Sequence, residues 1–223
     1  DYAQSKGIDF IICDHHTPDE TLPDAVAVLD PKRTDSTYPY GHLSGCGVGF
    51  KLMQAFAINN NIPMEKLYSL LDLLAVSIAS DIVPITGENR ILMQYGLKRL
   101  NSNPSIGLKA IIDVCDLKGK EITTSDIVFK IGPRINASGR MSSGKESVEL
   151  LVAKDYVSAK EKSDLIDNYN KTRKDLDKQA TDEAHREILK LKTLGEKSSI
   201  VVYNQEWNKG VIGIVASRLS EQY

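Results

Sequence analysis

The stretch from Leu67 to Ile78 constrains this chain most, because Leu67, Leu70, Leu71, Leu73, Leu74, Val76 and Ile78 leave it no polar stripe. A helix apolar nearly all round is stable only when other elements surround it, so the segment predicts a central core helix. It stops at Ser80-Asp81. That places a carboxylate at the end of the most apolar element, where an ionised group is costly unless a cation or hydrogen bonds compensate it. A helix-terminal aspartate facing water is the competing reading. Wrapping such a helix takes a long chain, and 223 residues suffice for one large domain or one and a half.

The other elements follow from shorter patterns. Ile8-Asp9-Phe10-Ile11-Ile12-Cys13 is a mostly apolar run, which predicts a strand buried on both faces of a parallel sheet. A second run, Ala25 to Leu29, ends at Asp30-Pro31, where proline cannot continue a central strand. Ser44-Gly45-Cys46-Gly47-Val48-Gly49 leads into a helix from Phe50 to Ile58, and Pro63 is placed to open the core helix. Asn89 is positioned to cap a helix from Arg90 to Leu100, and Gly107 to Val114 and Ser125 to Lys130 read as short helices before Gly132-Pro133. A long polar helix is predicted from about Glu146 to Leu194, in one piece or two, with a narrow stripe at Leu165, Tyr169, Leu176, Ala180, Ala184, Ile188 and Leu191. Such a stripe suits a helix bridging two domains. Ser199 to Tyr203 predicts another strand, and Val211 to Tyr223 a helix that looks cut short. The start, from Asp1 to Gly7, reads as the last turn of a helix, so the chain is expected to be an internal part of a longer protein. The expected fold class is α/β: a parallel-sheet domain with a helical extension over 1–145, a connecting helix over 146–197 and the start of a second α/β domain over 198–223.

Composition removes several function classes. A formal charge of −2, with 41% hydrophobic and 26% charged residues, is ordinary globular usage and exerts no global pull on nucleic acid or membrane. Any polyanion site must come from local clustering. No run approaches the roughly 18 apolar residues of a membrane span, so a soluble protein is expected. Cys13, Cys46 and Cys115 form neither a disulfide framework nor a zinc pattern, and small buried thiols in a reducing cytoplasm fit them best.

Asp14-His15-His16 sits where the first strand ends, the place where α/β folds hold their ligands. One carboxylate and two imidazoles suit Mn²⁺, Zn²⁺ or Fe²⁺, although a strand-end aspartate also caps helices and paired histidines also lie idle at surfaces. Asp81 could supply a distant ligand to the same cation, as two-metal phosphoesterases require. Gly45-x-Gly47 fails as a dinucleotide fingerprint, because Phe50 stands where the third glycine belongs. From 127 to 145 there is no acidic residue, while Lys130, Arg134, Arg140 and Lys145 are basic, and Asn136 adds a short donor. This is the expected phosphate-tracking segment, with a solvated basic loop as its alternative. Lys171-Thr172-Arg173-Lys174 is balanced by nearby aspartates and reads as a solvated face. Trp207, Tyr38 and Tyr40 could stack on bases, and the helix after Asn208 could receive an anion at its N-terminus.

Four strings in order, Cys13-Asp14-His15-His16, Ala79-Ser80-Asp81-Ile82-Val83-Pro84, Gly132-Pro133-Arg134-Ile135-Asn136-Ala137-Ser138-Gly139-Arg140 and Gly210-Val211-Ile212-Gly213-Ile214-Val215-Ala216-Ser217-Arg218, resemble the DHH phosphoesterase superfamily. Within it they resemble the single-strand-specific 5′→3′ exonucleases, over essentially the whole chain. The resemblance implies a DHH domain incomplete at its N-terminus and a hydrolase that uses two Mn²⁺ or Mg²⁺ ions on single-stranded DNA in recombination and repair. It puts His16 beside the scissile phosphate, Asp14 in catalysis and metal support, and His15 and Asp81 among the metal ligands. Arg134, Asn136 and Arg140 fall on a DNA-channel motif, flanked by Lys130 and Lys145. Implied partners are single-stranded DNA, a single-strand-binding protein and a helicase, with a monomeric enzyme. The family's upstream aspartate motifs would lie before Asp1, so the chain alone is expected to be inactive, and Asn208 replaces a histidine common in relatives. A small-substrate phosphoesterase and a non-catalytic DNA-binding scaffold are the rival readings.

Overall fold

The apolar segment is buried as expected, but in two helices rather than one. The computed structural model describes residues 2–190 and 199–223 and divides the chain into the units Asp1–Gly132 and Pro133–Tyr223. In the first unit, α1 (Tyr2–Ser5) precedes β1 (Ile11–Cys13) and β2 (Ala27–Leu29), which pair in parallel with Ile12 opposite Val28. There follow α2 (Gly45–Asn59), α3 (Glu65–Tyr68), α4 (Leu71–Ser80), α5 (Gly87–Ser102), α6 (Ile106–Val114), α7 (Thr124–Asp126) and a π-helical turn, Ile127–Ile131. Leu74, Ala75 and Ile78 of α4 are fully enclosed, so this helix is the core.

Two contacts explain how α4 is covered so closely. A Cβ on Gly96 of α5 would run into the carbonyl oxygen of Leu71 and approach Ala75 Cβ to 2.6 Å, so the two helices meet backbone to backbone. Asp72 is fully buried in the first turn of α4, where its carboxylate accepts from Leu73 N at 2.9 Å and Ser105 N at 2.6 Å. The apolar pattern hides this polar group, which satisfies the start of α6 from inside the core.

The second unit contains most of α8 (Gly132–Met141), then α9 (Lys145–Leu151), α10 (Tyr156–Leu189) and α11 (Lys209–Gln222). Ala180, Ala184 and Ile188 of α10 pack with Val211, Val215 and Leu219 of α11, and Ile200, Val202 and Trp207 close the cluster.

Several expectations need correction. The protein is mostly helical with a small parallel sheet, not α/β throughout. Ser199–Tyr203 forms no strand: among the described residues no neighbour offers a ladder, and Ile200 and Val202 pack against helices instead. Ile8, Phe10, Ile11 and Val26 are exposed, because no described element covers that side of the two-stranded sheet. The glycine run is the first turn of α2, capped by Ser44. Asn89 caps nothing; it is buried inside α5 and donates to the carbonyls of His42 and Pro84 at 2.6 and 3.0 Å. Gly132-Pro133 does not end a helix: the Gly132 N–H reaches back five residues to Ile127, and this wider turn accommodates a proline that lacks a donor. Of the two forms expected for the long helix, the two-piece one is found: it breaks at Val152–Asp155, where Asp155 caps α10 by accepting from Ser158 N. Of the predicted stripe, Leu165 is exposed and its neighbour Ile166 is buried in its stead, while Leu191 lies outside the described residues. Of the cysteines, only Cys115 is buried, and Cys46 is exposed. Among the described residues, no helix is long and apolar enough to cross a membrane.

Two measurements check this packing. Gly96→Ala should cost at least about 1–3 kcal/mol in denaturant unfolding, since backbone atoms must separate to admit the methyl. Asp126, hydrogen-bonded by Lys130 first and then by Thr123, has its pKa held down from 3.8 to about 2. A depressed carboxyl contributes stability that is complete above its unfolded pKa and is lost as pH falls through its folded one. The stability gap between the wild type and Asp126→Asn should therefore be constant above about pH 5 and close as the pH falls towards 2.

Candidate metal centre

Strand β1 delivers three polar groups in succession because it ends at Cys13, immediately before Asp14-His15-His16. Asp14 Oδ1 gathers the turn: it accepts from His15 N at 2.7 Å and His16 N at 3.2 Å, and stands 2.8 Å from His16 Nδ1. The side-chain bond to His16, followed by the two backbone donors, lowers its pKa to about 2. Asp14 is therefore ionised at neutral pH and can only accept, which makes Nδ1 of His16 the protonated nitrogen and leaves Nε2 free. His16 itself projects into solvent, its side chain 78% exposed.

His15 turns the other way, into the protein. Its ring packs against Gly45 at the start of α2, where a Cβ would stand 3.3 Å from Cδ2. Ser44, the cap of α2, receives a hydrogen bond from Ser77 of α4 at 3.0 Å, which ties this ledge to the core helix. Asp81 follows the last residue of α4, and its Oδ2 lies 3.1 Å from His15 Nε2. Ile82 then takes φ +54° with its side chain in solvent, so the chain leaves the helix sharply after the carboxylate. The two distant segments thus meet.

The donors fit a divalent cation. Asp14, His15 and His16 each offer a ligand atom within 4.8 Å of the others, and Asp81 adds a carboxylate against the imidazole of His15. His15 Nδ1 is buried with no hydrogen-bond partner among the described residues, so Nε2 beside Asp81 carries the polar chemistry of that ring. Mixed oxygen and imidazole ligands suit Mn²⁺.

The basic segment is less open than its charge pattern suggests. Lys130 pairs with Asp126 at 2.7 Å, Arg134 with Asp167 at 2.8 Å and Lys145 with Glu149 at 3.7 Å. The acids come from outside 127–145, which a local charge count cannot see. Asn136 and Arg140 are exposed, with Arg140 donating to Gly210 O at 3.1 Å. The aromatic candidates have structural employment: Tyr38 donates to Glu88 at 2.6 Å, Tyr40 to Thr86 O at 2.8 Å, and Trp207 to Glu183 at 2.8 Å. Asn208 caps α11 by accepting from Gly210 N. Sequence reasoning missed Gly45 as the rest for His15, although its place before a helix near a ligand strand was a usable signal.

Residues 1–78 match the DHH family, N-terminal domain. The chain is 39% identical over 221 residues to the single-stranded-DNA-specific exonuclease RecJ of Bacillus subtilis, a match covering 99% of this chain and 27% of the relative. Among solved structures it resembles exonuclease RecJ bound to manganese, with a TM-score of 0.84 and 28% identity over 99% of this chain and 54% of the other. It also resembles RecJ of Thermus thermophilus in complex with Mg²⁺, with a TM-score of 0.80 and 29% identity over 97% and 32%. This chain spans between 27% and 41% of the length of the curated RecJ relatives it matches.

Arg134 and Arg140 should separate in a stability assay. Arg134 is 16% exposed and Asp167 13%, so Arg134→Ala leaves an enclosed carboxylate with one cation, Lys171 at 2.8 Å, in place of two, and should cost about 1–2 kcal/mol. Arg140→Ala should stay within about 0.5 kcal/mol of the wild type in the same denaturant titration.

Proposed function

We propose, from the match of residues 1–78 to the DHH family, that the protein carrying this chain hydrolyses phosphodiester bonds of single-stranded DNA as a 5′→3′ exonuclease dependent on Mn²⁺ or Mg²⁺. The observation that carries this reading is the approach of His15 Nε2 to Asp81 Oδ2, 3.1 Å apart, beside the ionised Asp14. His15, Asp81 and Asp14 would hold the cation. A divalent ion in such a place acidifies a water and neutralises charge on phosphoryl oxygens.

The chain's own groups would do the rest. Asp14 fixes the ring of His16 through Nδ1 and presents Nε2 on the solvent side, where the unprotonated nitrogen can accept a proton from a water that attacks the phosphate. Ser44, Gly45 and Ser77 hold His15 at its station. Arg140, Asn136 and Lys145, whose side chain is 79% exposed, are accessible members of the strand-contacting set, while Arg134 and Lys130 divide their charge with acids. The same reading takes single-stranded DNA as the macromolecular partner, presented by a single-strand-binding protein and a helicase in the cytoplasm, during recombination and repair.

Titration of Mn²⁺ into the chain, followed by electron paramagnetic resonance, tests the centre. Asp81→Asn and His15→Ala should each weaken binding by at least about 10-fold, since even partners one shell further out matter that much. Unchanged affinity in both variants would remove the proposed ligands and the mechanism with them.

A further inference from the structure

His15 and Asp81 are delivered by separate stretches of chain, and a carbonyl close to each delivery point bonds to one and the same side chain. Asn89, fully buried in α5, donates through Nδ2 to His42 O at 2.6 Å and to Pro84 O at 3.0 Å. His42 shortly precedes Ser44, the cap of α2, and Gly45, against which the His15 ring packs. Pro84 shortly follows Asp81. Both acceptors are carbonyls, so the amide nitrogen faces them and both of its hydrogens are engaged. Oδ1 is left enclosed without a partner among the described residues. A side chain present for packing alone would not leave such an atom, because an unsatisfied buried oxygen destabilises a fold.

Neither tether has slack. Between Asp81 and the Pro84 carbonyl, Ile82 stands at φ +54°, Val83 is held to extended backbone by the proline after it, and the Pro84 ring fixes its own φ. On the other side Leu43 and Ser44 are buried, and Ser44 accepts from Gly47 N at 3.2 Å. Tyr40 steadies the same junction: its hydroxyl stands 2.8 Å from Thr86 O and 3.1 Å from Pro84 O, and a Cβ on Gly87 would lie 2.7 Å from its ring. Neither segment can shift against the other without breaking a bond to the Asn89 amide.

We infer that Asn89 is a positioning residue for the candidate metal centre: its amide clasps the two delivering segments together and so sets the 3.1 Å spacing of His15 Nε2 and Asp81 Oδ2. It acts through the backbone that carries each ligand. Its part in metal binding rests on the Mn²⁺ reading above, whereas the spacing does not.

Mn²⁺ titration followed by electron paramagnetic resonance, on variants that circular dichroism shows to be folded, reads the effect. Asn89→Ala should weaken binding by about 10-fold or more, the usual loss when a group that orients metal ligands is removed. In an Asp81→Asn background the same change should cost less than about twofold further, because the carboxylate it positions is already gone. A folded Asn89→Ala with wild-type affinity would overturn the role. So would an equal loss in both backgrounds, which marks a general softening of the fold. If Asn89→Ala does not fold, Asn89→Ser replaces it: one hydroxyl donates to one carbonyl, and the same pattern should appear with a smaller loss. A metal-free crystal structure of the variant supplies the second arm. His15 Nε2 and Asp81 Oδ2 should part beyond hydrogen-bond reach, and an unchanged spacing would overturn the clasp. Wild-type affinity in both Asp81→Asn and His15→Ala would instead defeat the manganese reading, and the crystallographic spacing would then decide for or against Asn89 by itself.

Discussion

Burial of α4 is the condition on which the first unit depends. Leu74, Ala75 and Ile78 are wholly enclosed, which at about 25 cal/mol per Å² of apolar surface makes this helix a principal source of cohesion. Enclosure fixes its ends as well as its sides. Asp81 can face His15 because the helix that delivers it cannot slide: α5 lies against its backbone at Gly96, and Ser77 binds Ser44 at the head of α2. The candidate ligands owe their meeting to a core that contains no chemistry of its own.

Elements with one strong local signal were legible from the residues. Period and composition placed the core helix, both parallel strands and the helix after Asn208, and an acid at the end of the greasiest segment singled out Asp81 before any geometry was known. What escaped were properties decided by distant partners. Asp72 looks like an isolated charge in an apolar run, yet it is buried because Ser105 and Leu73 supply its donors. Asn89 has the composition of a cap but is used as a buried strut between two loop carbonyls. The run at Ser199–Tyr203 has strand propensity without a strand beside it, and propensity yields to tertiary context. Gly132-Pro133 looks like a break, although a π-helical turn absorbs it.

Charge was the least readable property. A window free of acids, 127–145, proves to be largely neutralised by acids from α7, α9 and α10, whereas a window rich in aspartates conceals Arg173, whose enclosed Nε bonds to none of them. A net charge counted along the chain measures neighbours in sequence. Recognition of a polyanion responds to neighbours in space, and in helical proteins the two diverge most where helices cross.

Ile82 adds a last element. A branched side chain at φ +54° is an uncomfortable conformation, costing on the order of 1–3 kcal/mol, and it persists only where the surroundings over-determine it. Here it acts as a stop on the end of α4. Continuing the helix through Ile82 would run the chain on along the axis, where instead it turns aside directly after the carboxylate. The backbone therefore tolerates a local strain that ends the helix at its carboxylate, and Asp81 remains the last group that α4 delivers towards His15.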